Sequence, residues 1–142
     1  LIYSTTNGTV ALRQASRAEH VYAAALLNGE ALVQKLVSEH RGKTVLLVCS
    51  GSMGSPNLED IYGAGYLVDL LAQSVSGDAD VLSDAALAAR AIYRAEPAET
   101  ALLRSRVGRM MIERGLEHEV RFAAGLSRLQ VVPRLVGNRL LA

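Results

Sequence analysis

TVLLVCSGSMGSPNLED, residues Thr44 to Asp60, is the stretch from which the fold is read. Thr44 to Cys49 is a continuous apolar run, the pattern of a central parallel strand covered on both faces. SGSMGSPNLED follows as a long turn, in which Pro56 disfavours helix just before it. Asn57 is a good helix cap, and Leu58, Ile61, Tyr62, Gly65, Leu67, Val68, Leu71 and Val75 form one broad apolar stripe behind it. Strand, turn and helix are the expectation here. Upstream, LNGEALVQKLVSEH predicts a helix capped by Asn28, with Leu32 and Leu36 one turn apart. HVYAAALL, from His20, reads as the strand before it. Leu1 to Ser4 reads as a strand end, Thr5 to Thr9 as a turn, and Thr9 to Gln14 as a short helix or an irregular segment.

Downstream, the polar stretch SGDADVLSD separates the Asn57 helix from an alanine-rich one starting near Ser83. Pro97 opens another, running through Leu102, Val107 and Met110 to Gly115, and Val131-Val132 reads as a short strand stopped by Pro133. The repeated order of strand, turn and helix predicts an α/β layered domain with a largely parallel sheet and a helix-rich C-terminal half, one domain over residues 1–142.

Composition narrows the function classes. The formal net charge is +1, from 15 Lys and Arg against 14 Asp and Glu, which argues against a strongly cationic nucleic-acid surface. No apolar run reaches the roughly 18 residues that a membrane span needs. A single cysteine excludes an internal disulfide and fits a reducing, cytoplasmic compartment. His20, His40 and His118 show no metal-ligand spacing.

Three turns, STTNGT at 4–9, LLNGEA at 26–31 and CSGSMGSPNLED at 49–60, fall on the same predicted sheet edge, where α/β proteins bind ligands. Each has two readings: plain turn chemistry, or an anion held by free helix-start N–H groups and hydroxyls. None matches GxGxxG or a loop ending in GK[ST], which speaks against a nucleotide triphosphatase. Glu59 and Asp60 lie in a helix's first turn, either as dipole-matched charges or as hard oxygen ligands for Mg²⁺. Cys49 lacks the CX₅R arrangement, since Ser55 stands where the arginine would be. Arg106 and Arg109, beside Gly108, are the arginines best placed to meet a planar oxyanion, a solvated helix face being the alternative.

Taken together, STTNGT at 4–9, LLNGEA at 26–31, VLLVCSGSMGSPNLEDIYGAG at 45–65 and RFAAGLSRLQVVP at 121–133 resemble the 2-phosphosulfolactate phosphatase family along nearly the whole chain. The resemblance implies a Mg²⁺-dependent phosphatase that hydrolyses 2-phosphosulfolactate, or a similar small anionic phosphomonoester, as a step toward coenzyme M. It carries over Thr5, Thr6, Asn7, Gly8 and Thr9 at the first turn, Asn28 at the second, and Gly51, Gly54, Glu59 and Asp60 at the third. It also implies an N-terminal α/β region ahead of the STTNGT-like motif in complete members. The chain departs from the pattern at Ser105-Arg106-Val107-Gly108, where relatives often read Ser-x-His-Gly, at Ala124 (often cysteine) and at Ser127 (often aspartate). The alternative reading is a catalytically inactive truncated domain serving anion binding or homo-oligomerisation.

Overall fold

Seven helices and one short hairpin account for the regular structure of the described residues, 5–74 and 82–142, in this computed structural model. The expected strand at Leu1–Ser4, Val75 of the expected apolar stripe, and the polar stretch up to Val81 lie outside the described residues. Helix α1 (Gly8–Ala15) starts where Thr5 and Thr9, four residues apart, close on each other. The Thr9 N–H donates to Thr5 Oγ1 at 3.1 Å, and the Thr9 hydroxyl donates to the Thr5 carbonyl at 2.7 Å. A 3₁₀ turn (Leu26–Asn28) leads into α2 (Gly29–Glu39), whose apolar positions Ala31, Leu32 and Val33 are buried.

Helix α3 (Leu58–Ser74) is the spine. It packs on α2 on one side and on α4 (Asp84–Ala95) on the other. The approach to α4 is close because Gly65 has no side chain: a Cβ there would sit 2.0 Å from the Ala89 carbonyl oxygen. Asp69, buried on α3, accepts from Arg90 Nε and Arg94 Nε, both at 2.8 Å, and from Gln73 Nε2 at 2.6 Å. Arg90 and Arg94 are four apart on α4, so both guanidinium groups reach the same carboxylate. Burial acts to raise the Asp69 carboxyl, but the Arg90 hydrogen bond and the Arg94 charge outweigh it and hold it below its ordinary value.

Pro97 opens α5 (Ala98–Arg104). The single helix expected from Pro97 to Gly115 is broken at Ser105, which turns to extended backbone (ψ 160°) and caps α6 (Arg106–Glu113) by accepting the Gly108 N–H at 2.9 Å. Helix α7 (Glu117–Ala123) follows, and the chain ends in the antiparallel pair β1 (Arg134–Val136) and β2 (Arg139–Leu141), in register Arg134 with Leu141 and Val136 with Arg139.

Two apolar clusters meet on α3. One gathers Leu26, Tyr62, Tyr66, Ala98, Ala101, Leu102, Val120 and Ala124; the other is Leu32, Val33 and Leu67, with Leu47 and Val132 against it. Tyr62 is 1% exposed and donates its hydroxyl to the Glu96 carbonyl at 2.8 Å; burial, helped by Tyr93 and Glu96, pushes its phenol up to about 12.

The largely parallel sheet expected from the sequence is not what forms among the described residues: the structure is mostly helical, with a two-stranded antiparallel sheet. Residues 20–27 form no strand: they make an isolated bridge, Tyr22 to Arg134, flanked by backbone hydrogen bonds from Ala23 to Pro133 and from Leu135 to Val21, before turning into the 3₁₀ segment. Val131-Val132 is irregular, and the strand begins after Pro133 instead of ending there. Thr44–Cys49 carries strand composition, but a strand is defined by its neighbours, and no backbone–backbone hydrogen bond reaches this run among the described residues. The helices at 29–39, 58–74 and 84–95 follow their apolar spacing as expected.

Candidate functional site

The loop between Cys49 and α3 reverses tightly. Ser52 N–H donates to the Ser55 carbonyl at 2.9 Å and Ser55 N–H donates back at 3.0 Å. Gly51 (φ 61°), Met53 (φ 53°) and Gly54 (φ 74°) are all left-handed, and a Cβ on Gly51 would lie 2.6 Å from the Ser55 carbonyl oxygen. Met53 takes this conformation without the freedom of glycine, so the loop stores some backbone strain.

Asp60 and Arg106 hold that loop from two helices. Asp60 Oδ2, in the first turn of α3, accepts the Gly51 N–H at 2.7 Å and the Ser50 hydroxyl at 3.4 Å. Arg106, the first residue of α6, donates from Nη2 to Asn57 Oδ1 at 3.1 Å and also to Ser52 Oγ, while Ser52 Oγ donates to Asn57 Oδ1 at 2.9 Å. Residues far apart in sequence thus meet at one turn: a guanidinium, two hydroxyls, an amide and a carboxylate. The break at Ser105 makes this contact, since it redirects the chain so that Arg106 starts a new helix.

Glu59, beside Asp60, has a buried carboxylate oxygen, Oε2, with no hydrogen-bond partner among the described residues. An orphaned carboxylate oxygen one residue from a second carboxylate in sequence is a candidate ligand for a hard cation. No group of three or more metal-ligating side chains occurs among the described residues. This is compatible with Mg²⁺, which takes one or two carboxylates and completes its shell with water and phosphate oxygens. Cys49 is exposed, and its thiol is pushed up by partial desolvation and by the Asp60 charge, which opposes a thiolate nucleophile there.

The other residues singled out from the sequence lie apart from this loop in their bonding. Thr5 and Thr9 spend their hydroxyls on each other's backbone at the start of α1, with Gly8 as its first helical residue. Thr6 and Asn7 make no side-chain hydrogen bond among the described residues. Asn28 is buried and committed to the backbone: Oδ1 accepts the Ala25 N–H at 2.8 Å, and Nδ2 donates to the carbonyls of Val131 at 2.9 Å and Ala23 at 3.3 Å. Arg109, on α6, donates to the carbonyl of Arg104, the last residue of α5. Among the described residues, no hydrogen bond joins the first or second turn to the third.

Ser127 and Asn57 are organising residues that sequence reasoning did not single out as site residues. Ser127, left-handed at φ 51°, accepts the Glu30 N–H at 2.8 Å and shares a 2.6 Å hydrogen bond with the Tyr66 hydroxyl, so it caps α2 and ties it to α3. The only sequence signal was its departure from the relatives' aspartate. Two open cavities lie elsewhere: an apolar one of about 320 Å³ lined by Leu102, Ser105, Val107, Met111 and Val120, and a mixed one of about 580 Å³ along α2.

The family described as 2-phosphosulpholactate phosphatase matches residues 1–138. Curated relatives bear the name probable 2-phosphosulfolactate phosphatase. That of Carboxydothermus hydrogenoformans is 35% identical over 133 residues, covering 94% of this chain and 54% of the relative. That of Gloeothece citriformis is 36% identical over 137 residues, covering 94% and 55%. That of Thermosynechococcus vestitus is 35% identical over 145 residues, covering 99% and 59%. The chain therefore spans a little over half the length of the curated relatives it matches. The match along nearly the whole sequence places this chain in the 2-phosphosulfolactate phosphatase family.

Proposed function

We propose that this chain supplies the phosphate-handling side of a Mg²⁺-assisted phosphomonoesterase acting on 2-phosphosulfolactate or a similar small anionic phosphate ester. The observation that carries the reading is the loop at 50–57, clamped between Asp60 and Arg106, with the unpartnered Glu59 oxygen on the residue before Asp60. Arg106 presents a fixed positive charge to an anionic group, phosphate or sulfonate, with paired donors. Asp60 fixes the shape of the loop by accepting the Gly51 N–H, so that little reorganisation is needed as charge builds on the phosphoryl oxygens. Glu59 and Asp60 are the residues that would hold Mg²⁺, which when bound neutralises and orients a transferring phosphoryl group. Thr6 and Asn7 remain available as further donors. The relatives' names support 2-phosphosulfolactate as the substrate to test first, and the compartment proposed is the cytoplasm.

The test is phosphate release by a graft in which this chain replaces the matched stretch of the Carboxydothermus relative. Across a panel of small phosphorylated acids, release that requires Mg²⁺ and is highest for 2-phosphosulfolactate is expected. A folded graft that releases no phosphate from any member, with Mg²⁺ present, overturns the proposal.

A further inference from the structure

Thr44 to Cys49 is an apolar run that belongs to no strand or helix among the described residues. In a strand its alternate side chains would point to opposite faces. Leu47 packs inward against the cluster of Leu32, Val33 and Leu67. Leu46 is 81% exposed and Val48 57% exposed on the other side. No backbone–backbone hydrogen bond involves residues 44–50 among the described residues, so no described segment pairs with either edge of the run. An unpaired apolar strand is a ready template for another strand. The curated relatives extend well beyond the matched stretch, since this chain covers 54–59% of three of them.

From these observations we infer that Thr44–Cys49 is the docking strand for the part of the family's fold that this chain does not span, and that it is completed there into a sheet. The occupant must bring two things. One is a β-strand to pair with the backbone of the run; the other is an apolar layer to cover Leu46 and Val48. A neighbouring strand alone would leave those two side chains in water, and an apolar helix alone would leave the backbone unpaired. The run leads directly through Cys49 into the loop clamped by Asp60 and Arg106, so the same pairing would fix the base of that loop. The inference rests on the exposed strand, not on the phosphatase reading.

The test compares the 142-residue chain with the graft into the Carboxydothermus relative. Amide hydrogen exchange at residues 44–49 is expected to be fast in the chain alone and at least ~100-fold slower in the graft. Leu46→Asp with Val48→Asp is expected to leave the melting temperature of the chain alone unchanged and to lower that of the graft or prevent its folding. Fast exchange in both proteins overturns the inference. So does a substitution effect that is equal in both. Protection of the chain alone that grows with protein concentration assigns the strand to a second copy and overturns it too. A second measurement serves if the unmutated graft does not fold: labelling of Cys49, the single cysteine, in the chain mixed with the relative's remaining segment. Slowed labelling supports the inference; an unchanged rate contradicts it. Because these readouts do not involve turnover, a graft that is protected at 44–49 but inactive separates this inference from the functional proposal.

Discussion

Asp69 binds α3 to α4 through two arginines, and its chemistry sets a pH dependence. Its carboxyl is held below the ordinary value of 3.8 in the folded chain. The unfolded chain therefore takes up this proton first as pH falls. The stabilisation is complete above the ordinary aspartate range and is lost progressively as pH drops through the lower folded value. Asp69→Asn is expected to cost about 2 kcal/mol at neutral pH, the scale of hydrogen bonds to a charged group. It should also flatten the acid limb of the stability curve between neutral pH and about pH 2. Urea denaturation of both proteins across that range checks it; an equally steep acid limb in the variant contradicts it. Asn28 illustrates a different residue-level lesson. The sequence marks it correctly as the residue preceding a helix, yet its amide does not cap that helix and instead holds the carbonyls of Ala23 and Val131. Propensity sees only the local neighbour, whereas the bond to Val131 spans 103 positions. Asn28→Ala leaves buried backbone groups unpaired and is expected to cost about 3 kcal/mol in the same denaturation experiment.

Helices were legible where spacing alone determines them. The apolar stripe of α3, the alanine-rich α4 and the α2 pattern each bury one face against another helix, and 3.6-residue periodicity encodes that directly. Strands were not, because an apolar run does not record its partner. Thr44–Cys49 has the composition of a buried strand yet is mostly exposed, with only Leu47 packed inward; Val131-Val132 has it too and stays irregular. The α5–α6 break was also hidden, since Ser105 within a helical pattern looks neutral until its hydroxyl caps Gly108. The contact between α3 and α4 gives a prediction at this scale. Gly65→Ala would drive a methyl into the Ala89 carbonyl, and an over-packed backbone contact of this kind is expected to lower stability by about 3 kcal/mol. Thermal melting of the variant reads this, and a melting temperature equal to the parent's would show that the two helices can part without penalty.

Over the whole molecule, the sequence placed candidate donors on three turns, and the structure gives them unequal standing. The third turn acquires a cation from α6 and a carboxylate anchor from α3, and this convergence could not be read from spacing because Arg106 lies 49 residues from Asn57. The sequence singled out Arg106 and Arg109 together, through Gly108; Arg106 meets this turn, whereas Arg109 donates to the Arg104 carbonyl. The first turn is closed by its own threonines, and the second is held by Asn28 and Ser127. Arg106→Ala should therefore act on anion binding more than on stability, because the side chain is exposed and replaces no core contact. A folding free energy within about 0.5 kcal/mol of the parent, with KM in the graft raised at least ~10-fold by loss of a charged contact, is the expected pair of results. A large loss of stability with unchanged KM would assign Arg106 to the fold alone.

The most direct measurement is Mg²⁺-dependent phosphate release from 2-phosphosulfolactate by the graft carrying Glu59→Gln and Asp60→Asn together, against the unsubstituted graft. With fold retained by circular dichroism, the rate should fall at least ~100-fold, the scale of losing a group that stabilises the transferring phosphoryl. Undiminished release by the double variant would contradict the assignment of this loop as the place where phosphate and metal meet.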